Sequence, residues 1–153
     1  MRAILKFFTL DQANKMLPLV DSIAIDVTNT WEEIMKGRTD LDRFDNCQKK
    51  AGSLSESDKE KMSEVRSDVN ALVDRINAYI KELEALGIYV ESYRCCILDF
   101  PALYRGRKIQ LCYTPSMTKE IFFWHELDEI ENDRQPITEE MRGALKSIDY
   151  VDL

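Results

Sequence analysis

From Met62 to Leu86 the apolar residues Met62, Val65, Val69, Leu72, Ile76, Tyr79, Leu83 and Leu86 recur at alternating three- and four-residue steps without a break. A strand, with its period of two, would scatter these side chains over both faces; a helix gathers them into one stripe. Val73 and Ile80 widen that stripe beyond a bare two-stranded seam, Ser57-x-x-Glu60 reads as a capping box at its start, and Gly87 stands where a left-handed cap would end it. A stripe this long must be covered by something. The segment upstream supplies a partner: Ala13, Leu17, Val20, Ala24, Val27, Trp31, Ile34 and Leu41 follow the same rhythm, interrupted in register only by Arg38. Thr9 and Gln12 form a capping box, so this helix begins near Leu10, with Pro18 as an expected kink and Gly37 as a second weak point. Asn46 to Ser57 lacks the rhythm and reads as a loop. Residues 1–87 are therefore expected to form an antiparallel hairpin of two helices of roughly 30 residues, each about 45 Å long.

After Gly87 the period falls to two. Ile88–Tyr93, Cys96–Phe100, Lys108–Tyr113 and Glu120–Trp124 read as four short strands, punctuated by Pro101, Arg105-Gly106-Arg107 and Thr114-Pro115-Ser116. The short connections favour an antiparallel meander. A last helix is expected from Thr138, with Met141, Ala144, Leu145 and Ile148 on its apolar side and Gly143 weakening it. The whole, residues 1–153, is expected to be a single domain of α+β class: a helical hairpin, then a β-meander head with its C-terminal segment (88–153).

Charge and composition narrow the partners. The 153 residues carry 21 basic and 28 acidic side chains, a net charge of −7, and no local basic face, so no nucleic-acid partner is expected. No apolar run approaches the roughly 20 residues that span a bilayer, and the start is too quickly polar for a signal peptide, so a soluble protein without a membrane partner is expected. Cys47, Cys95, Cys96 and Cys112 show no disulfide-framework spacing, which fits a reducing cytoplasm. The few glycines form no phosphate-cradling loop, and a single histidine, His125, excludes the two-histidine zinc-protease motif.

Chemistry can sit in the last third. If neighbouring strands align, Asp99, Cys112 and His125 project from one sheet face as a carboxylate, a thiolate and an imidazole, a ligand set for zinc or iron. Glu126 or Asp128 would add a ligand or a general base, and Arg134 would hold an anion. The plainer reading of the same residues has His125 bonded to Asp99 or a carbonyl, Cys112 packed as a small hydrophobe, and Arg134 locking a turn through Glu126 or Asp128. Trp31, Phe122, Phe123 and Trp124 read as core aromatics or as a ligand pocket. Cys95-Cys96 reads as a redox pair only if a thiol there is both exposed and of lowered pKa.

The runs FTLDQANKMLPLV, LGIYVES, LDFPALYRGRKIQLCY, FFWHELDE and DRQPI resemble the bacterial family called domain of unknown function 2203 in order and spacing. The resemblance rests on Asp99, Phe100, Pro101, Leu111, Cys112, Trp124, His125, Glu126, Asp128 and Arg134. It implies no activity. The chain departs from the family pattern at Cys96, Ile130 and Asp133, where glycines are usual, and at Tyr113, where tryptophan is usual; if those glycines admit a ligand, their loss weakens its binding.

Two functions fit these features. The first is a non-catalytic binding or scaffold protein whose stripe Val69, Val73, Ile76 and Ile80 mediates homo-oligomer formation or docks a helical protein partner. The second is a small metal- or thiol-dependent enzyme, or a metal-binding protein, built around Asp99, Cys112 and His125.

Overall fold

The computed structural model describes residues 6–115, 117–127 and 134–146. Helix α1 runs from Leu10 to Ala51 and helix α2 from Glu56 to Ala85, so the hairpin forms as expected but with unequal arms. At 1.5 Å per residue the 42 residues of α1 extend about 63 Å. The expected loop shrinks because Asn46–Ala51 continue α1, and the chain turns only at Gly52, whose φ of 80° ends the helix in the left-handed conformation. Thr9 and Gln12 make both hydrogen bonds of the capping box, at 3.1 Å each. For α2 the cap is Ser55, not Ser57; its hydroxyl accepts from the Asp58 N–H. Pro18 lies inside a helix that continues past it.

Leu10, Ala13, Leu17, Val20, Ala24, Val27 and Ile34 of α1 are buried, as are Val69, Ile76, Ile80 and Leu83 of α2. Val73 packs against the same core. The stripe expected to be offered to a partner is thus turned inward, because α1 and the head need it as their own cover. At Gly37 the two helices approach closely. A Cβ at Gly37 would lie 2.3 Å from Val69 Cγ2, so what the sequence presents as a weak point is a contact that only glycine allows.

Helix α2 stops in a Schellman motif: Ile88 N–H donates to the Leu83 carbonyl at 3.0 Å, and Gly87, at φ 86°, donates to Glu84 at 2.9 Å. The chain then enters an antiparallel sheet of order β1-β2-β3-β4-β5, with β1 Tyr89–Ser92, β2 Ile97–Tyr104, β3 Arg107–Tyr113, β4 Phe123–Glu126 and β5 Gln135–Pro136. The four expected strands are present with shifted bounds, and the two-residue β5 is an addition. Pro101 does not interrupt β2. Its carbonyl accepts from Phe8 N–H at 2.7 Å; a residue's N and C=O point the same way, so its missing donor faces the Phe8 side and spares the ladder to β3. Arg105 and Gly106, at φ 51° and 79°, make the tight turn between β2 and β3.

Leu98, Phe100, Ala102, Ile109, Leu111, Tyr113 and Trp124 share one face and join the helices in the core. The head is further tied to α1 by Tyr113 Oη donating to Asp21 at 2.7 Å and Ile121 N–H donating to Asn14 Oδ1 at 2.9 Å. Helix α3, Glu139–Ala144, is capped by Thr138 and followed by Leu145, whose carbonyl accepts from Leu10 N–H. Ile148 lies outside the described residues. All four cysteines are free, and among the described residues no helix is long and apolar enough to cross a membrane.

The Gly37–Val69 contact predicts an outcome opposite to helix propensity. Gly37→Ala should gain about 1 kcal/mol from the helix backbone and lose about 1–3 kcal/mol to overpacking. Chemical denaturation should therefore show net destabilisation. In the Val69→Ala background the same substitution should become neutral or stabilising, and a double-mutant cycle measures the difference.

Candidate metal centre

The alternation that sends Leu98, Phe100 and Leu111 to the helices sends their neighbours to the other face of the sheet. Asp99 is the direct cross-strand partner of Cys112, and His125 is the partner of Gln110, two residues along β3 from Cys112. The three residues the sequence singled out therefore meet on one face, as expected. A fourth joins them. Glu91 lies in β1 at a bulge, where Val90 pairs with Leu98 and Ser92 pairs with Ile97, leaving Glu91 as the extra residue. A bulge re-aims its side chain, and here the carboxylate reaches the same point. One ligand atom from each of Glu91, Asp99, Cys112 and His125 lies within 4.8 Å of all the others.

The individual separations are tighter. Asp99 Oδ1 is 3.1 Å from His125 Nε2 and 3.4 Å from Cys112 Sγ, and Glu91 Oε2 is 3.7 Å from His125 Nε2. A tetrahedral ion with ligands at 2.0–2.3 Å has ligand-to-ligand edges of about 3.3–3.8 Å. Three of the six separations thus lie near such edges, and the other three are within 4.8 Å. His125 is also oriented for such a role, since its Nδ1 is 2.6 Å from the Glu126 carbonyl, a contact that puts a proton on Nδ1 and turns Nε2 toward the cluster. Asp99, Cys112 and His125 are buried, and Glu91 is half-buried.

Protons hold this arrangement together when no ion does. Burial would lower the His125 pKa, but the hydrogen bond and charge of Asp99, the Glu126 carbonyl and the charge of Glu91 outweigh it and raise the group to about 8. Burial pushes the Cys112 thiol well above its ordinary value; Asp99, as charge and as hydrogen-bond acceptor, and Glu91 push the same way, while Arg134 opposes them. Cys112 is accordingly held as a thiol that donates to Asp99. Burial also raises Cys96 to about 12, so the Cys95-Cys96 pair has one exposed thiol and one inert one.

The other expected residues fall elsewhere. Glu126 points to the opposite face, where its carboxylate pairs with Arg107 at 3.1 Å, so it is neither ligand nor base for the cluster. Asp128, Ile130 and Asp133 lie outside the described residues. Arg134 does not lock a turn through Glu126; its guanidinium stacks 5.3 Å from the Phe123 ring centre and donates to Thr114 Oγ1 at 3.4 Å. Trp124 is core, whereas Phe122 and Phe123 are 39% and 37% exposed and line a recess that includes Cys112. Glu91 was missed because its sequence signal is faint: it is the one charge in the run Ile88–Tyr93, on the face of Tyr89, which pairs with Asp99.

A family model described as an uncharacterized conserved protein, DUF2203, matches residues 6–137. No curated protein and no solved structure matches the chain.

The protonated histidine gives the ion-free protein a distinct pH dependence. A folded pKa of about 8 exceeds the unfolded value of about 6.5, so the stabilisation is complete below about pH 6.5 and is lost as pH rises through 8. The loss amounts to about 2 kcal/mol. Denaturation of chelator-treated protein between about pH 6 and 8, below the range in which unfolded thiols ionise, should show it, and His125→Asn should remove most of that slope.

Proposed function

The chain belongs to the DUF2203 family, and we propose that within it this protein binds a divalent transition metal, zinc before iron, through Glu91, Asp99, Cys112 and His125. One observation carries this reading: donors from four different strands, three of them buried, lie within 4.8 Å of one another, and three of their separations, 3.1, 3.4 and 3.7 Å, are near the edges of a zinc-sized tetrahedron. The donor types choose the metal. A thiolate and an imidazole disfavour magnesium and calcium, which take oxygen, and a second histidine for a two-histidine iron triad is missing from the sequence.

The charge balance supports the same conclusion. Binding removes one proton from the Cys112 thiol and, below about pH 8, one from His125, and a divalent cation restores the charge those protons supplied. Nothing else in the cluster need change. With four protein donors the site is closed, and it anchors β1 through β4 to one another, a binding and structural role in which no catalytic step is required. The helical stripe gives no comparable support to partner docking, because Val69, Ile76 and Ile80 are already buried.

Zinc added to chelator-treated protein should bind at about one equivalent, measured by elemental analysis after gel filtration. At about a hundredfold excess over its Kd it should add about 2.7 kcal/mol of stability, a rise in Tm of about 5–10 °C. Cys112→Ser and His125→Ala should each reduce that rise sharply. Less than about a tenth of an equivalent bound, with no thermal shift, overturns the reading.

A further inference from the structure

On the sheet face that carries the cluster, Cys112 has a second neighbour: a recess of about 280 Å³ that it shares with Ile97, Phe123, Arg134 and Thr114, with Phe122 and Met117 at its sides. Phe123 is the cross-strand partner of Cys112, so the recess begins one strand spacing from a proposed metal ligand. Its walls are mostly apolar; Arg134 is the one charged residue among those that line it, and Thr114 and Thr118 are the other polar ones. Among the described residues Arg134 makes no ion pair; it stacks on Phe123 and reaches Thr114, two contacts that orient the guanidinium without neutralising it. An oriented guanidinium beside exposed aromatic rings matches a ligand with a planar anionic end and a short apolar body. At about 30 Å³ per water-sized group the recess holds roughly nine such groups.

We infer that this recess is a binding site for a small organic carboxylate, whose carboxylate group is held by Arg134 and Thr114 and whose apolar body lies against Phe122, Phe123 and Ile97. Only its position beside a metal ligand rests on the metal reading; the pocket and its chemistry do not. The proposed binding breaks and makes no covalent bond. It gives the metal-bearing face a ligand class, and it makes Arg134 the residue that selects for charge.

Benzoate is a suitable probe because it fills such a recess with one charge and one ring, and benzyl alcohol has nearly the same shape without the charge. Amide NMR shifts of the full chain, zinc-loaded and chelator-treated, should show saturable benzoate binding at about millimolar Kd, centred on Thr114, Phe123 and Arg134. Benzyl alcohol should bind about tenfold more weakly. Arg134→Gln should lose the same factor for benzoate and leave benzyl alcohol unaffected; should that variant unfold, the two probes on the unmodified chain still decide. Benzoate shifts that do not saturate, that centre elsewhere, or that benzyl alcohol reproduces at equal affinity overturn the inference. Metal content measured on the same samples keeps the two readings apart: benzoate binding with no metal taken up retains the pocket and refutes the metal site, and metal uptake without benzoate binding does the reverse.

Discussion

The sheet must bury one face against the helical hairpin, and that requirement places nearly everything else. Leu98, Phe100, Ala102, Ile109 and Leu111 are fully enclosed with residues of α1 and α2, and no shift of register could exchange them with their neighbours without taking all five out of that shared core. Because side chains alternate, the same constraint commits Asp99, Cys112 and His125 to the far face. Pairing between β2 and β3 then sets Asp99 opposite Cys112, and pairing between β3 and β4 sets His125 one step along. The candidate centre is in this sense a by-product of core packing. It needs no loop to assemble it.

This dependence explains what could be read in advance. The unbroken rhythm of α2, the capping box at Thr9 and the switch of period after Gly87 are local signals with one physical meaning each, and the hairpin, the meander and the convergence of three site residues follow from them. The missed features depend on neighbours in space. Asn46–Ala51 are helical although the apolar rhythm has ended, and their stop lies in the left-handed Gly52. Pro101 sits within β2 because its nitrogen faces the Phe8 side, a fact of strand order that local patterning does not contain. Glu91 joins the centre from a bulge, a mismatch between two strands that neither strand shows by itself. Gly37 looks like a helix-weakening residue until Val69 is placed against it.

The centre also resolves an electrostatic problem that the fold creates. Two carboxylates and a thiol held on a buried surface are unfavourable unless positive charge is close by. The ion-free chain meets the requirement with the His125 proton and by keeping Cys112 as a thiol. A divalent cation, as proposed above, would meet the same requirement, because the separations of 3.1–3.4 Å around Asp99 Oδ1 are close to those between ligands of one ion.

The departures from the family pattern acquire a different meaning in this light. Cys96, where glycine is usual, has φ 49°, so glycine would be the unstrained choice; a side chain there costs about 1–2 kcal/mol in backbone conformation. That side chain is fully buried in the core cluster, which offsets the strain, and it lies on the helix-facing side of the sheet. Tyr113, where tryptophan is usual, is likewise on the core face and spends its hydroxyl on Asp21. Neither substitution touches the surface that carries Glu91, Asp99, Cys112 and His125. What the Cys96 and Tyr113 side chains change is the packing of the head on the hairpin, and the donor set on the other face is left intact.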